Sequence, residues 1–163
     1  MSNEILIRDA APEELDDIEA LVKEAYREFR PQFPEKVWQA WMDNVSETVR
    51  APAGMLLVAM AGGIIQGVIK FYPEASQSGM GHWPPGVAAI RILAVSPPAR
   101  GQGYGTRLAA ECLRRAKAMQ ISTIFLFTGE FMDAARHIYE KLGFRRAPEL
   151  DPQPGPIAYR LDL

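Results

Sequence analysis

One stretch near the middle of the chain, AVSPPARGQGYGTRL (Ala94–Leu108), constrains the fold more than any other. An apolar run ends there, two prolines break it, and Gly101, Gly103 and Gly105 alternate with other residues before a helical pattern begins. A helix opens with backbone N–H groups that have no intrahelical acceptor, and its dipole is positive at that end. Glycines ahead of the first turn let a ligand reach those amides without meeting a Cβ. One glycine would be enough to turn the chain into the helix. Three, with Arg100 beside them, point to a site for a phosphate or pyrophosphate. The Arg100 guanidinium adds a charge-assisted contact to the same group. The stretch is not a P-loop, because Gly105 is followed by Thr106 and Arg107. It is not a dinucleotide fingerprint either. That motif needs its third glycine where Thr106 stands, and it follows a chain's first strand, not its fourth.

The rest of the chain reads as alternating strands and helices. Glu4–Arg8 is a first short strand. From Pro12, Leu15, Ile18, Leu21, Val22, Ala25 and Phe29 recur at helical spacing, with Pro12, Glu13 and Glu14 marking the start. Prolines between Arg30 and Pro34 interrupt the pattern. A second helix is expected from Pro34 to Val49. Met55–Met60 and Gly67–Tyr72 flank AGGIIQ, which predicts an antiparallel hairpin. Pro73–Gly86 reads as a surface loop. Ala88–Val95 and Thr123–Thr128 are a fourth and a fifth strand, joined by a helix over Gly103–Gln120 with Tyr104, Leu108, Cys112, Leu113, Ala116 and Met119 on its apolar face. This strand–helix–strand unit implies a parallel pair. MDAARHIYEKLGF predicts a short helix closed by Gly143, and Ile157–Leu161 a last strand. The order is β-α-α-β-β-β-α-β-α-β, with room for a further strand near Phe144. That makes an α/β (α+β) chain with no linker and no repeat, read as a single domain over residues 1–163.

Composition closes off several classes of function. The chain has 163 residues and a net charge of −2, with no dominant basic run, so no nucleic-acid partner is expected. No apolar run is long enough to span a bilayer. MSNEILIRDA lacks the basic and apolar regions of a signal peptide, so a cytoplasmic location is expected. The one cysteine, Cys112, excludes an internal disulfide framework. It falls on the apolar stripe of a helix, as a buried, inert thiol does. His82 and His137 are too few and too far apart to hold a metal, and none is expected.

Arg100-Gly-Gln-Gly-Tyr-Gly105 resembles the Arg/Gln-x-x-Gly-x-Gly/Ala signature of the GNAT superfamily of N-acetyltransferases. The preceding RILAVSPPARG is similar to that family's fourth strand and its lead into the loop. AARHIYEKLGF (Ala134–Phe144) resembles its second signature, a helix carrying a tyrosine before Leu-Gly-Phe. The resemblance is sharp over Ile90–Leu108 and Ala134–Phe144. It implies a mixed central sheet of six to seven strands with a splayed fourth and fifth pair. It implies acetyl-CoA (coenzyme A) as cosubstrate, its pyrophosphate held by Arg100, Gly101, Gln102, Gly103, Tyr104, Gly105 and Thr106. Main-chain groups of Leu93, Ala94 and Val95 would bond the pantetheine arm, and an amide near Leu93 would polarise the thioester carbonyl. Tyr139 matches the family's general acid. Its partner would be a small-molecule or peptide amine, and the family admits a homodimer.

Two positions depart from the family pattern. Met132 stands where many relatives carry an asparagine that touches pantetheine. The fourth strand, AAIRILAV, has Arg91 and no carboxylate to serve as a base. Glu130 and Glu74 are the nearest carboxylates by topology, and the base stays unassigned. The reading is therefore an N-acetyltransferase working by direct attack of a neutral amine. The alternative is a non-catalytic acyl-CoA-binding module or sensor, which the missing carboxylate favours and the retained Tyr139 opposes. A Rossmann-like nucleotide binder is a third class.

Overall fold

Apolar runs with little alternation build the central strands, and two helices with apolar stripes interrupt them early. The computed structural model describes residues 4–152 and 154–163. Strand β1 (Leu6–Asp9) pairs antiparallel with β2 (Met55–Ala61), Leu6 opposite Met60 and Asp9 opposite Leu57. Between them lie α1 (Leu15–Tyr26) and α2 (Glu35–Arg50). β2 turns through Gly62 and Gly63 into β3 (Ile64–Tyr72), which starts earlier than the apolar pattern suggests. Then follow β4 (Ala88–Val95), α3 (Tyr104–Ala118), β5 (Thr123–Thr128), α4 (Asp133–Lys141), β6 (Arg145–Arg146) and β7 (Ile157–Asp162). The short β6 is the further strand expected near Phe144. The seven strands follow the order β1-β2-β3-β4-β5-β7-β6 in a mixed sheet.

The chain divides into two units. The first runs to Pro52 and includes Leu56–Lys70 and Ile92–Leu108. In it α1 packs against α2, with Ile18, Val22 and Ala25 of α1 and Val45 and Val49 of α2 buried. The helical spacing of the first segment continues to Phe29, yet the α-helix stops at Tyr26 and gives way to tighter 3-10 turns over Arg27–Gln32. Pro31 accounts for this. It has no N–H, its ring would meet the Arg27 carbonyl in an α-helix, and it disfavours the α conformation at Arg30. Lys70 of β3, 1% exposed, donates to the carbonyls of Thr48 and Ala51 at 2.6 and 2.8 Å. It thereby caps the C-terminal end of α2, where a cation is favoured.

The second unit holds Ala53–Met55, Phe71–Arg91 and Ala109–Leu163. Its core is the antiparallel ladder of β5 and β7, from Thr123 opposite Asp162 to Thr128 opposite Ile157, with Ile124, Leu126, Ala158 and Tyr159 buried. Cys112 and Ala116 of α3 are buried as the stripe predicts. Met119 is not; it lies past the end of α3 and is 43% exposed. The loop after β3 folds back on this unit. Trp83 stacks on Phe125 with ring centroids 4.6 Å apart and donates to the Met80 carbonyl. No helix among the described residues is long and apolar enough to cross a membrane.

Candidate functional site

The glycine turn lies in the first unit. Gly101 and Gly103 have φ of +80° and +89°, a conformation in which an L side chain is strained, and open space lies where their Cβ atoms would be. Gly101, Gln102 and Gly103 are exposed. The bond from Arg107 N–H to the Gly103 carbonyl, at 3.0 Å, opens the hydrogen-bond ladder of α3. The amides of Tyr104, Gly105 and Thr106 precede that bond and sit at the positive end of the helix. Tyr104 and Gly105 are themselves buried, so the helix start is a firm support under an exposed turn. Main-chain N–H groups at the start of a helix suit an anion.

The side chain of Arg100 takes a course that the glycine pattern does not reveal. Its Nη1 donates to Glu28 at 2.8 Å and its Nη2 to the carbonyl of Ala25 at 2.8 Å. The guanidinium thus fastens the turn to the end of α1.

The strand leading into this turn is irregular in its second half. The parallel register of β4 with β5 covers Ala88, Ala89 and Ile90. Ile92 then has φ of +52°. A β-branched residue there costs of order 1–3 kcal/mol and persists only when its surroundings hold it. Beyond Ile92 the main chain alternates. Ser96 donates to the Gln66 carbonyl of β3 at 2.8 Å, and the Ala94 carbonyl lies against Gly67 of β3. The N–H and C=O of one extended residue share an edge and reverse at the next residue. Leu93 and Val95 therefore turn their main-chain groups to the edge away from β3, and Ala94 turns toward it. On the edge away from β3, the Tyr26 hydroxyl donates to the Leu93 carbonyl at 3.1 Å.

The second unit carries Tyr139. It sits on α4, 4% exposed, with its ring edge-on to Phe144 at 5.6 Å and 6.4 Å from Tyr159. The Tyr159 hydroxyl donates to Glu140 at 2.7 Å and accepts from Arg136 at 3.1 Å. Gly143, at φ +103°, closes α4 as the Leu-Gly-Phe pattern predicts.

The two carboxylates singled out by topology differ in setting. Glu74 accepts from the Gly86 N–H at 3.2 Å and from Ser76 at 3.3 Å, which closes the loop after β3. Glu130 is exposed. Arg91 of β4 donates to the Ser78 carbonyl at 2.8 Å and so anchors that same loop. His82 and His137 are both exposed. Among the described residues no group of three or more His, Cys, Asp or Glu is placed to hold a metal ion. Burial pushes the Cys112 thiol far above its ordinary value.

The description "Acetyltransferase (GNAT) family" belongs to the family model that matches residues 15–144. The chain is 25% identical over 155 residues to an uncharacterized N-acetyltransferase of Schizosaccharomyces pombe, covering 93% of this chain and 90% of that protein. It is 32% identical over 95 residues to a mycothiol acetyltransferase of Cellulomonas flavigena, covering 58% of this chain and 27% of that protein. Its fold is similar to that of the PaiA N-acetyltransferase from Thermoplasma acidophilum in complex with coenzyme A, with a TM-score of 0.76, 16% identity, and 98% and 99% of the two chains covered. A GNAT family acetyltransferase from Brucella melitensis in complex with acetyl-CoA gives a TM-score of 0.70 at 20% identity, over 99% of this chain and 90% of that one.

Proposed function

Because the chain belongs to the GNAT acetyltransferase family, we propose that it is an acetyl-CoA-dependent N-acetyltransferase acting on a primary amine of a small molecule or peptide. A single-domain chain over residues 1–163, a cytoplasmic location and a homodimer go with this reading. The turn Gly101–Gly103 running into the amides of Tyr104, Gly105 and Thr106 is the observation that carries it. Its donors suit the anionic oxygens of the coenzyme's diphosphate, and its two left-handed glycines keep side chains out of the way. Arg100 borders the turn and adds positive charge. Val95 offers its N–H and C=O on the strand edge away from β3, as an amide of a pantetheine arm requires, and Leu93, whose carbonyl accepts from Tyr26, offers its N–H there. Ala94 spaces them. Similar folds in proteins bound to coenzyme A and acetyl-CoA support the assignment.

Bound there, acetyl-CoA supplies an activated acetyl group and the coenzyme leaves as its thiol. The Leu93 N–H stabilises the negative charge that develops on the acetyl oxygen. The attacking amine gives up one proton and the departing sulfur takes one. Tyr139 Oη is the donor to sulfur in this reading.

The test is thiol release from acetyl-CoA over an amine panel, with Tyr139→Phe beside the parent. The parent is expected to turn over at least one amine. Tyr139→Phe is expected to lose about a hundredfold in kcat while still binding coenzyme A. The absence of a carboxylate on β4 favours one alternative, an acyl-CoA-binding module without turnover. Binding of acetyl-CoA with no thiol release over the whole panel would decide for it.

A further inference from the structure

We infer that Tyr26 is a positioning residue for acetyl transfer, its phenol setting the direction of the Leu93 amide. The inference rests on the acetyltransferase reading above. Tyr26 is the last residue of α1 and is buried. Its hydroxyl donates to the Leu93 carbonyl at 3.1 Å, directly after the left-handed Ile92. An isoleucine does not hold that conformation by itself, and a ladder bond from a neighbouring strand would normally steady the next residue. At Leu93 the phenol supplies that bond. The N–H and C=O of one residue share an edge while its φ and ψ stay extended, so a bond that holds the Leu93 carbonyl favours the extended conformation in which the Leu93 N–H faces that same edge.

The phenol is itself firmly held. Its ring stacks on Trp41, with centroids 5.0 Å apart and planes 21° from parallel. Trp41 in turn meets Phe33 and Trp38 edge-on at 5.6 and 5.5 Å. One residue earlier, the Ala25 carbonyl accepts from Arg100 at 2.8 Å. The end of α1 is therefore pinned at two points of one segment, the strand at Leu93 and the turn at Arg100. A donor that must meet charge developing on an acetyl oxygen gains from this, because a hydrogen bond weakens steeply with misalignment.

Tyr26→Phe keeps the ring and its stacking and removes only the donor. The Leu93 carbonyl 13C resonance is expected to move upfield as its hydrogen bond is lost. For turnover, kcat should fall about tenfold to thirtyfold while KM for acetyl-CoA stays within about threefold, since the lost alignment acts in the transition state. Affinity for coenzyme A, which has no acetyl group, should not change. Tyr26→4-aminophenylalanine restores a donor on the same ring and should recover most of kcat. It also serves if the phenylalanine variant folds poorly. A second readout needs no acceptor. In the parent, the Leu93 amide resonance should differ between the coenzyme A and acetyl-CoA complexes, and Tyr26→Phe should shrink that difference.

A purely structural role would lower the melting temperature and leave kcat of the folded protein alone. A Tyr26→Phe kcat within about twofold of the parent's, or an unchanged Leu93 difference, overturns the role of Tyr26 and leaves the acetyltransferase reading intact. A parent that binds acetyl-CoA and acetylates nothing removes that reading, and the Leu93 resonances then decide on Tyr26. A parent that binds neither coenzyme A nor acetyl-CoA overturns both.

Discussion

Arg100 donates from Nη2 to the main-chain carbonyl of Ala25 across 2.8 Å, so the glycine turn after β4 is tied to the last turn of α1. The same guanidinium pairs with Glu28, and both side chains of that pair are 40–50% exposed. An exposed pair contributes about 0–1 kcal/mol. Glu28→Gln should therefore leave stability almost unchanged. It should tighten coenzyme A binding about twofold to fivefold, because a carboxylate competing with the diphosphate for Arg100 is gone. Arg100→Ala removes the tie and the charge together and should weaken binding about tenfold. Calorimetry at low and physiological salt measures both. Tighter binding by Arg100→Ala would contradict the account.

Lys70 makes a prediction about the fold alone. Its buried ammonium serves two carbonyls at the end of α2, those of Thr48 and Ala51. Lys70→Met keeps the bulk and leaves those acceptors without their donor. The expected loss is about 2 kcal/mol or more, read as a lower urea midpoint at unchanged slope. An unchanged midpoint would mean that the cap contributes nothing.

Glu14 sets an acid limit. Two Arg8 nitrogens at 2.8 Å and the Ala11 N–H at 2.7 Å hold its carboxyl down to about 2, against an ordinary 4.5. Asp151 is lowered in the same sense by Arg146 and the Ala158 N–H. A carboxyl lowered by folding stabilises the fold above its unfolded value, and the stabilisation is lost as pH falls through the folded one. The parent's urea midpoint should drop as pH falls below about 5, and Glu14→Gln should show a shallower drop. The gap between the two should close toward about pH 2. A gap independent of pH would refute the role of this contact.

Much of the architecture was legible because it is local. The glycine turn, the stripe Leu108–Cys112–Ala116 and the closing Gly143 each act within a few residues, so spacing alone reveals them. What spacing could not show are partners distant in sequence. Arg100 reads as an open cation beside a phosphate site, and its partners Ala25 and Glu28 lie far up the chain. The bond of Tyr26 to Leu93 depends on where α1 ends, and that depends on Pro31 overriding a helical spacing that continues to Phe29. Glu74 reads as a carboxylate near the site, whereas its bonds to Gly86 and Ser76 give it a part in closing a loop. Lys70 sits in β3, and only the end of α2, distant in sequence, explains its burial.

Cys112 tests the direct-attack chemistry from the opposite side. Its thiol is fully buried and raised far above its ordinary value, so little thiolate forms near neutral pH. The native protein should resist thiol reagents at about pH 8 and react once unfolded. Cys112→Ala should retain kcat. An acyl group trapped on Cys112, or loss of turnover in the alanine variant, would point to a covalent route.

Titration calorimetry of coenzyme A into the folded chain, with Gly103→Val alongside, most directly tests whether the turn is a diphosphate site. The account predicts saturable binding by the parent at micromolar concentrations, and a marked loss in Gly103→Val, whose side chain would be strained at φ +89°. A folded parent that gives no heat with coenzyme A and does not compete for acetyl-CoA would contradict it.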